Sequence, residues 1–387
     1  MYRPEGTSLG AWSTGILKTA DAVLGPAACA ALSLIERLSG RDTVPEPLDP
    51  ADVRRILVVR PGGLGDMIVL LPVLDVLRKK FPDATIRLVC EKRNIEVLRV
   101  AGMAELGIAY DTNPFRLLSH LVRTTYDLAI DTEQFHHFSA VFAFLSGART
   151  RIGFKINPRR NPLYTHLVDY ALDGREGDEF MKLTRPLGVD DEYEPAGILA
   201  DARIELPMVF DAKLKNAFDD KPFAVIHPCG YTPQKRWPAD AFACLVRDLH
   251  ESHGMGTVLV GDKSDRPGAE SIVEEAKPQQ GDVLSLAGQL NLSGTAALIK
   301  KAGVFIGPDS GLAHLATALG TRTVVLFGPS DHRKWGTESL RHAVVRKDMP
   351  CAPCFIFGYH KPCRRRTCMT GISPADVLSK VGDVLAE

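Results

Sequence analysis

Short runs of β-branched and aliphatic residues alternate along most of this chain with segments whose apolar residues recur every three or four positions. Few folds accept that pattern. The runs include ILVV, IRLV, DLAID, FAVIH, TVLVG, VFIGP and TVVLFG, and the segments between them include LLPVLDVLRKKF and ADAFACLVRDLHESHG. Spacing of three and four marks one face of a helix, and an uninterrupted apolar run marks a strand buried on both sides. Alternation of the two calls for parallel sheets covered by helices. The series restarts after DARIELPMVFDAKLKNAFDDKP, where 223–228 opens a second set of strands as 56–60 opens the first. The expected fold class is therefore α/β, with two Rossmann-like parallel-sheet domains facing each other across a cleft. We place them at 51–205 and 206–387, behind an N-terminal extension at 1–50. A chain of 387 residues has room for both cores.

Charge selects no class of partner globally, since Lys+Arg and Asp+Glu both number 47; only local charge can. The most apolar stretch is GILKTADAVLGPAACAALSLIERL. Its uncharged run, 22–35, is 14 residues long, short of the ~20 that a spanning helix needs. Pro26 interrupts it, and Lys18, Asp21, Glu36 and Arg37 flank it. Two readings stay open, a helix packed on the body of the protein and an interfacial helix resting on a membrane. No well-formed secretory signal precedes it, so a reducing cytoplasm is expected and a disulfide framework is not. Of the eight cysteines, Cys29, Cys90, Cys229 and Cys244 lie in apolar surroundings and read as buried thiols. Cys351, Cys354, Cys363 and Cys368 form C-x2-C-x8-C-x4-C, which has the ligand count of a structural zinc. A reduced, partly buried cluster is the default, and we assign neither metal nor cofactor.

In open parallel sheets ligands bind at the carboxyl ends of strands, so the strand-to-helix loops are where chemistry is expected. The first, RPGGLGD, is neither G-x-G-x-x-G nor a nucleotide-triphosphate loop. Gly62, Gly63 and Gly65 permit a tight turn, and Asp66 opens the next helix. Asp66 is either the cap of that helix or a general base held ionised by the helix end. The second loop, HPCGYTPQKRWP, sets Lys235 and Arg236 before Trp237 and Pro238. Two cations at a helix entrance suit a diphosphate, although a solvated basic turn reads the same way. In the third, FIGPDSGLAHLATALG, backbone N–H groups at Ser310, Gly311 and Leu312 and the Ser310 hydroxyl suit phosphate oxygens. His314 falls one turn further on the same face.

Taken in order, RPGGLGDMI…LP, KRWP, PDSGLAHLATALG…VVLFGPSD and CAPC…C…CM…I resemble glycosyltransferase family 9, the bacterial heptosyltransferases of lipopolysaccharide-core synthesis. The resemblance runs from about Ile56 to the C-terminus. It implies the GT-B fold, with an acceptor on the N-terminal domain and a nucleotide sugar on the C-terminal one. It also implies inverting, metal-independent transfer. By that resemblance Asp66 is the base that deprotonates the attacking hydroxyl, and Lys235 contacts the donor phosphate. Asp309, Ser310, Gly311 and His314 surround the donor, with Arg236 beside them. Asp265 stands where relatives carry an acid for nucleoside or sugar hydroxyls. Gly230 and Tyr231 fall where many heptosyltransferases have threonines, which leaves the exact donor open.

From Gln134 to Val168 there is no acid, while Arg149, Arg151 and Lys155 are present. With Gly63 and Gly65 these are the candidates for docking an anionic glycolipid or glycan acceptor. Lys361, Arg364, Arg365 and Arg366 form a second basic run. The expected enzyme is thus a cytoplasmic transferase of the cell envelope, using ADP-heptose and meeting the inner face of the membrane peripherally, with no nucleic-acid partner. Its rivals are a same-fold transferase using a uridine or guanosine nucleotide sugar and a degenerate scaffold protein. A dinucleotide oxidoreductase is rejected: Glu91 would meet half its requirement, but the glycine spacing fails.

Overall fold

The structure, a computed structural model, describes residues 14–38, 48–230, 232–276, 283–357, 359–360 and 363–386. Tyr231 and Lys361 lie outside these residues, as does most of the 39–50 linker. The chain divides into two compact units, with the boundary between Glu194 and Pro195. That is earlier than the expected 205/206, because the segment after Pro195 is sewn onto the second unit. Gly197 N–H donates to Thr317 O, Leu199 N–H to Ala318 O, and Lys300 Nζ to Ala202 O.

In the first unit the strands are β1 (Arg55–Arg60), β2 (Thr85–Cys90), β3 (Gly107–Ala109), β4 (Leu128–Asp131), β5 (Thr150–Phe154) and β6 (His166–Val168). They form one parallel sheet in the order β3-β2-β1-β4-β5-β6. Side chains alternate between faces. Leu57 and Val59 of β1, with Val89 and Ala129, join Cys29, Leu117, Leu121 and Phe142 in one apolar core. Ile56 and Val58, equally buried, serve the opposite face.

The second unit repeats the plan with β7 (Phe223–Ile226), β8 (Gly256–Leu259), β9 (Val283–Ser285), β10 (Val304–Pro308), β11 (Thr323–Phe327) and β12 (His342–Arg346). Their order is β12-β11-β10-β7-β8-β9, again parallel. One face is covered by the helix Ala239–His253 and by the C-terminal helix Pro374–Leu385. The latter starts with a capping box in which Ser373 and Asp376 satisfy each other's backbone N–H. Its Val377, Val381 and Val384 are fully buried, each burial stabilising by roughly 1.5–3 kcal/mol.

In both sheets the strand order reverses beside the first strand of the unit, between β1 and β4 and between β7 and β10. These are the two topological switch points, and the crevice at the carboxyl ends of the strands there is where such sheets bind ligands.

Candidate active site

In the first unit β1 ends at Arg60, and Gly62–Gly63 turn the chain into the helix Leu64–Val69. The backbone cap of that helix is Gly63. Asp66 is its third residue and reaches back to accept the Gly63 N–H at 2.9 Å. Its other oxygen meets Arg60 Nη2 at 3.1 Å. The cap reading of Asp66 therefore holds, and the base reading belongs to the proposed function. The carboxylate closes the helix start, and with 23% of its side-chain surface open it still faces solvent.

Arg60 is the partner that motif reading passed over. It is buried, donates Nη1–H to Thr132 O at 2.8 Å, and stacks over the Phe180 ring at 4.9 Å. Burial disfavours its charge, but Asp66, Glu133 and Glu176 outweigh burial and hold the guanidinium charged. The turn needs glycine at position 62: a Cβ there would lie 2.6 Å from Arg60 Nε. Asn94 ties the same turn from the other side, its Nδ2–H reaching Gly62 O at 2.7 Å. The only signal for Arg60 in the sequence was its place at the strand end, next to the glycines.

The predicted basic acceptor face does not hold together. Lys155 follows β5 and is exposed at the carboxyl end of the sheet, the end that carries Asp66. Arg149 precedes β5 and is exposed at the opposite end, so it cannot share a site with Asp66. Arg151 is buried. Its Nε donates to Leu163 O at 2.7 Å, Nη1 to Ala148 O at 2.8 Å, and Nη2 pairs with Glu36. That guanidinium is consumed inside the protein, so Arg151 is withdrawn as an acceptor contact.

In the second unit the site is built on β7, β10 and the loops after them. Trp237 anchors the KRWP stretch: it is buried, its Nε1–H donates to Ile372 O at 3.1 Å, and its ring meets Phe242 edge-on at 4.8 Å. The preceding turn thereby carries Lys235 Nζ to Asp309 Oδ2 at 2.6 Å and to Asp309 O at 3.3 Å, over the Phe355 ring. Arg236 is exposed and donates from Nε to Gly230 O. A Cβ at Gly230 would come within 2.9 Å of Lys235 Cβ, so the small residue admits the lysine.

Asp309 follows β10 and is buried. Burial pushes its carboxyl up, but Lys235, His314 and Ser330 more than compensate and hold it below the usual carboxylate range. His314 Nε2 lies 3.8 Å from its Oδ1. Ser310 caps the helix Gly311–Ala318 by backbone alone. Its hydroxyl instead faces His227 Nδ1 at 3.3 Å. His227, at the end of the FAVIH run, lies between Ser310 and Asp265, its Nε2 being 3.8 Å from Asp265 Oδ2. Burial raises the Asp265 carboxyl, yet His227 and the Asp262 N–H hold it below its ordinary value. The structure thus gathers Lys235, Asp265, Asp309, Ser310 and His314 around the β7–β10 switch point, with the N-terminus of an eight-residue helix among them. An anion-binding end of this kind, flanked by a lysine and an exposed arginine, suits a diphosphate.

Beside this cluster a cavity of about 600 Å³ opens at the ends of β11 and β12, lined in part by Ser330, Asp331, His332, Arg346 and Lys347. Cys351 and Cys363 are exposed, Cys354 is half-buried and Cys368 buried. Among the described residues no three or more His, Cys, Asp or Glu side chains are grouped to hold a metal ion.

Comparison with known proteins bears on the family and the fold. The family model for glycosyltransferase family 9 (heptosyltransferase) matches residues 115–364. Lipopolysaccharide heptosyltransferase 3 of Escherichia coli is 28% identical over 294 residues, covering 70% of this chain and 82% of the relative. Lipooligosaccharide heptosyltransferase 2 of Haemophilus ducreyi is 27% identical over 312 residues, covering 76% and 88%. Among solved structures, a glycosyl transferase family 9 protein from Veillonella parvula superposes with a TM-score of 0.69 at 20% identity, covering 89% of this chain and 99% of its own. An E. coli heptosyltransferase (WaaC) with bound ADP-2-deoxy-2-fluoro heptose superposes with a TM-score of 0.64 at 18% identity, covering 85% and 99%. These structural likenesses establish the GT-B class of fold.

Proposed function

The chain belongs to glycosyltransferase family 9, and from that premise we propose that it moves a heptosyl residue from ADP-heptose onto a lipopolysaccharide-core acceptor. Membership makes it a glycosyltransferase; the sugar, the acceptor and the stereochemistry are our reading. Relatives named as lipopolysaccharide and lipooligosaccharide heptosyltransferases support the sugar and the acceptor. The solved relative holding an ADP-linked heptose analogue supports the nucleotide.

The observation that carries the reading is the Lys235–Asp309–His314 cluster at a helix N-terminus on one unit, together with the Arg60-braced carboxylate of Asp66 on the other. In this reading Asp66 accepts the proton of the acceptor hydroxyl, whose oxygen attacks the anomeric carbon. The bond from that carbon to the diphosphate breaks, and ADP leaves with the electron pair. Attack on the face opposite the diphosphate inverts the centre. Lys235, Arg236 and the helix end at Ser310–Gly311 neutralise the growing charge on the leaving group, which lets transfer proceed without a divalent metal. Asp309 fixes the ammonium of Lys235, and Asp265 is placed for hydroxyls of the donor. Acceptors of this class are anionic glycolipids, which puts the enzyme at the cytoplasmic face of the inner membrane.

Isothermal titration with ADP, UDP, GDP and CMP tests the donor assignment. ADP binding at least tenfold tighter than the others supports it. Preference for UDP or GDP keeps the transferase and discards the heptose. Failure of all four removes the donor site as proposed.

A further inference from the structure

The helix Thr14–Leu38 touches the first unit by one side only. On that side the Asp21 carboxylate accepts the backbone N–H groups of His137 (3.0 Å) and Phe138 (2.6 Å), at the start of the helix His137–Leu145. Gly25 passes so close that a Cβ there would stand 2.5 Å from His137 Cβ. Cys29 is buried, and Glu36 pairs with Arg151. Asp21 and Glu36 are the only acids in this helix, and both are turned inward and spent. Its two cations, Lys18 and Arg37, stay exposed.

The opposite side is apolar along its length. Val23, Leu24, Leu34, Ile35 and Leu38 are 55–78% exposed, at helical spacing on one face, with only alanines between them. A second helix on the same core also exposes apolar side chains. The helix Pro114–Arg123 contributes to the same core, and it exposes Phe115 (73%) and Val122 (71%) beside the exposed Arg116 and Arg123. An exposed apolar face of this extent marks an interaction surface.

We propose that this face docks the protein on an anionic lipid bilayer, with the helix lying flat in the interface. Charge selects the occupant. Both acids face the first unit, while Arg37 stands exposed at the flank of the apolar stripe and Lys18 stays exposed near the helix start. Exposed cations without well-exposed acids on one helix are the distribution that anionic headgroups attract. By length and composition Ile16–Leu38 would suffice to cross a membrane, contrary to the shorter estimate from its uncharged run. Crossing would, however, strip Asp21 and Glu36 from their partners and leave two acids in hydrocarbon. The proposal borrows from the transferase reading only the place where a glycolipid acceptor would be met.

Co-sedimentation of the full chain with vesicles of three parts phosphatidylethanolamine to one part phosphatidylglycerol, without nucleotide, tests it. The wild-type protein should partition onto these vesicles roughly tenfold more than onto phosphatidylcholine, and an alkaline wash should release it. Leu34→Asp/Leu38→Asp and Lys18→Glu/Arg37→Glu should each lower partition roughly tenfold, with ADP affinity and circular dichroism unchanged. Equal partition of variants and wild type overturns the proposal, as does resistance to the alkaline wash, which would mean a spanning helix. A dimer that Leu34→Asp/Leu38→Asp dissociates, without vesicle binding, also overturns it. Because ADP binding is measured separately, failure of docking and failure of the donor site are distinct results.

Discussion

Arg60 pins one oxygen of Asp66 while the Gly63 N–H pins the other, so the carboxylate has a fixed direction before any substrate arrives. Fixing a reacting group is worth about a hundredfold in rate when displacement by roughly an ångström is avoided. Arg60→Met should therefore lower turnover roughly 10- to 100-fold and destabilise the fold by about 3 kcal/mol, because Glu133 and Glu176 lose a buried counter-charge. Arg60→Lys should recover most of the melting temperature while leaving turnover low. Recovery of both would show that Arg60 only balances charge. Lys235 allows a parallel argument. Lys235→Ala removes the ammonium expected on the diphosphate, and a charge-assisted hydrogen bond of about 1.5–3 kcal/mol corresponds to a 10- to 100-fold weaker ADP affinity. The same change strands the buried Asp309, so calorimetry should be repeated on Lys235→Ala/Asp309→Asn. Wild-type affinity in both variants would take Lys235 out of the donor site.

Elements were legible in proportion to how apolar and how long they are. β1, β2, β4, β7, β8, β10 and β11 correspond to the seven runs quoted from the sequence, and each is largely or wholly buried. β3, β6 and β9 have three residues each, too few to show a period. β5 carries the buried Arg151 in mid-strand, a charge that reads as surface until Glu36 and two carbonyls are seen around it. β12 begins with His342, which is buried and bonded through Nδ1 to the Thr323 hydroxyl at 3.0 Å. Burial, helped by Arg341, pushes its pKa down to about 4, against about 6.5 in an unfolded chain. Between those values the unfolded state binds more protons, so stability is full above about pH 6.5 and falls as pH drops toward 4, by at most about 1.4 kcal/mol per pH unit. His342→Leu should start less stable, with the Thr323 hydroxyl orphaned, and should lose that part of the slope in melts between pH 7 and 4.5. An unchanged slope would place the acid sensitivity elsewhere.

At the scale of the whole molecule the same strand order, with the first strand of each unit at its centre, appears twice without a detectable sequence repeat. Hydrophobic pattern dictates the sheets, and the loops at the two switch points carry the differences. One presents a carboxylate, the other a helix end with cations. The motifs were legible because such loops need particular glycines and charges at fixed spacing. Their supporting residues, Arg60 and His227, were not, since packing rather than spacing assigns them. If the cations of the second unit suffice for the leaving diphosphate, transfer measured in excess EDTA should keep its rate within about twofold. Restoration of a lost rate by Mg²⁺ would contradict that. That Asp66 on one unit takes the proton of an acceptor hydroxyl that attacks a donor held by the other unit can be examined by single-turnover transfer. ADP-heptose and a heptose-free lipopolysaccharide-core acceptor would be used with the wild-type protein and with Asp66→Asn. Equal ADP affinity and transfer slowed roughly 10²- to 10⁴-fold are expected of the variant. Transfer at the wild-type rate by Asp66→Asn would contradict it.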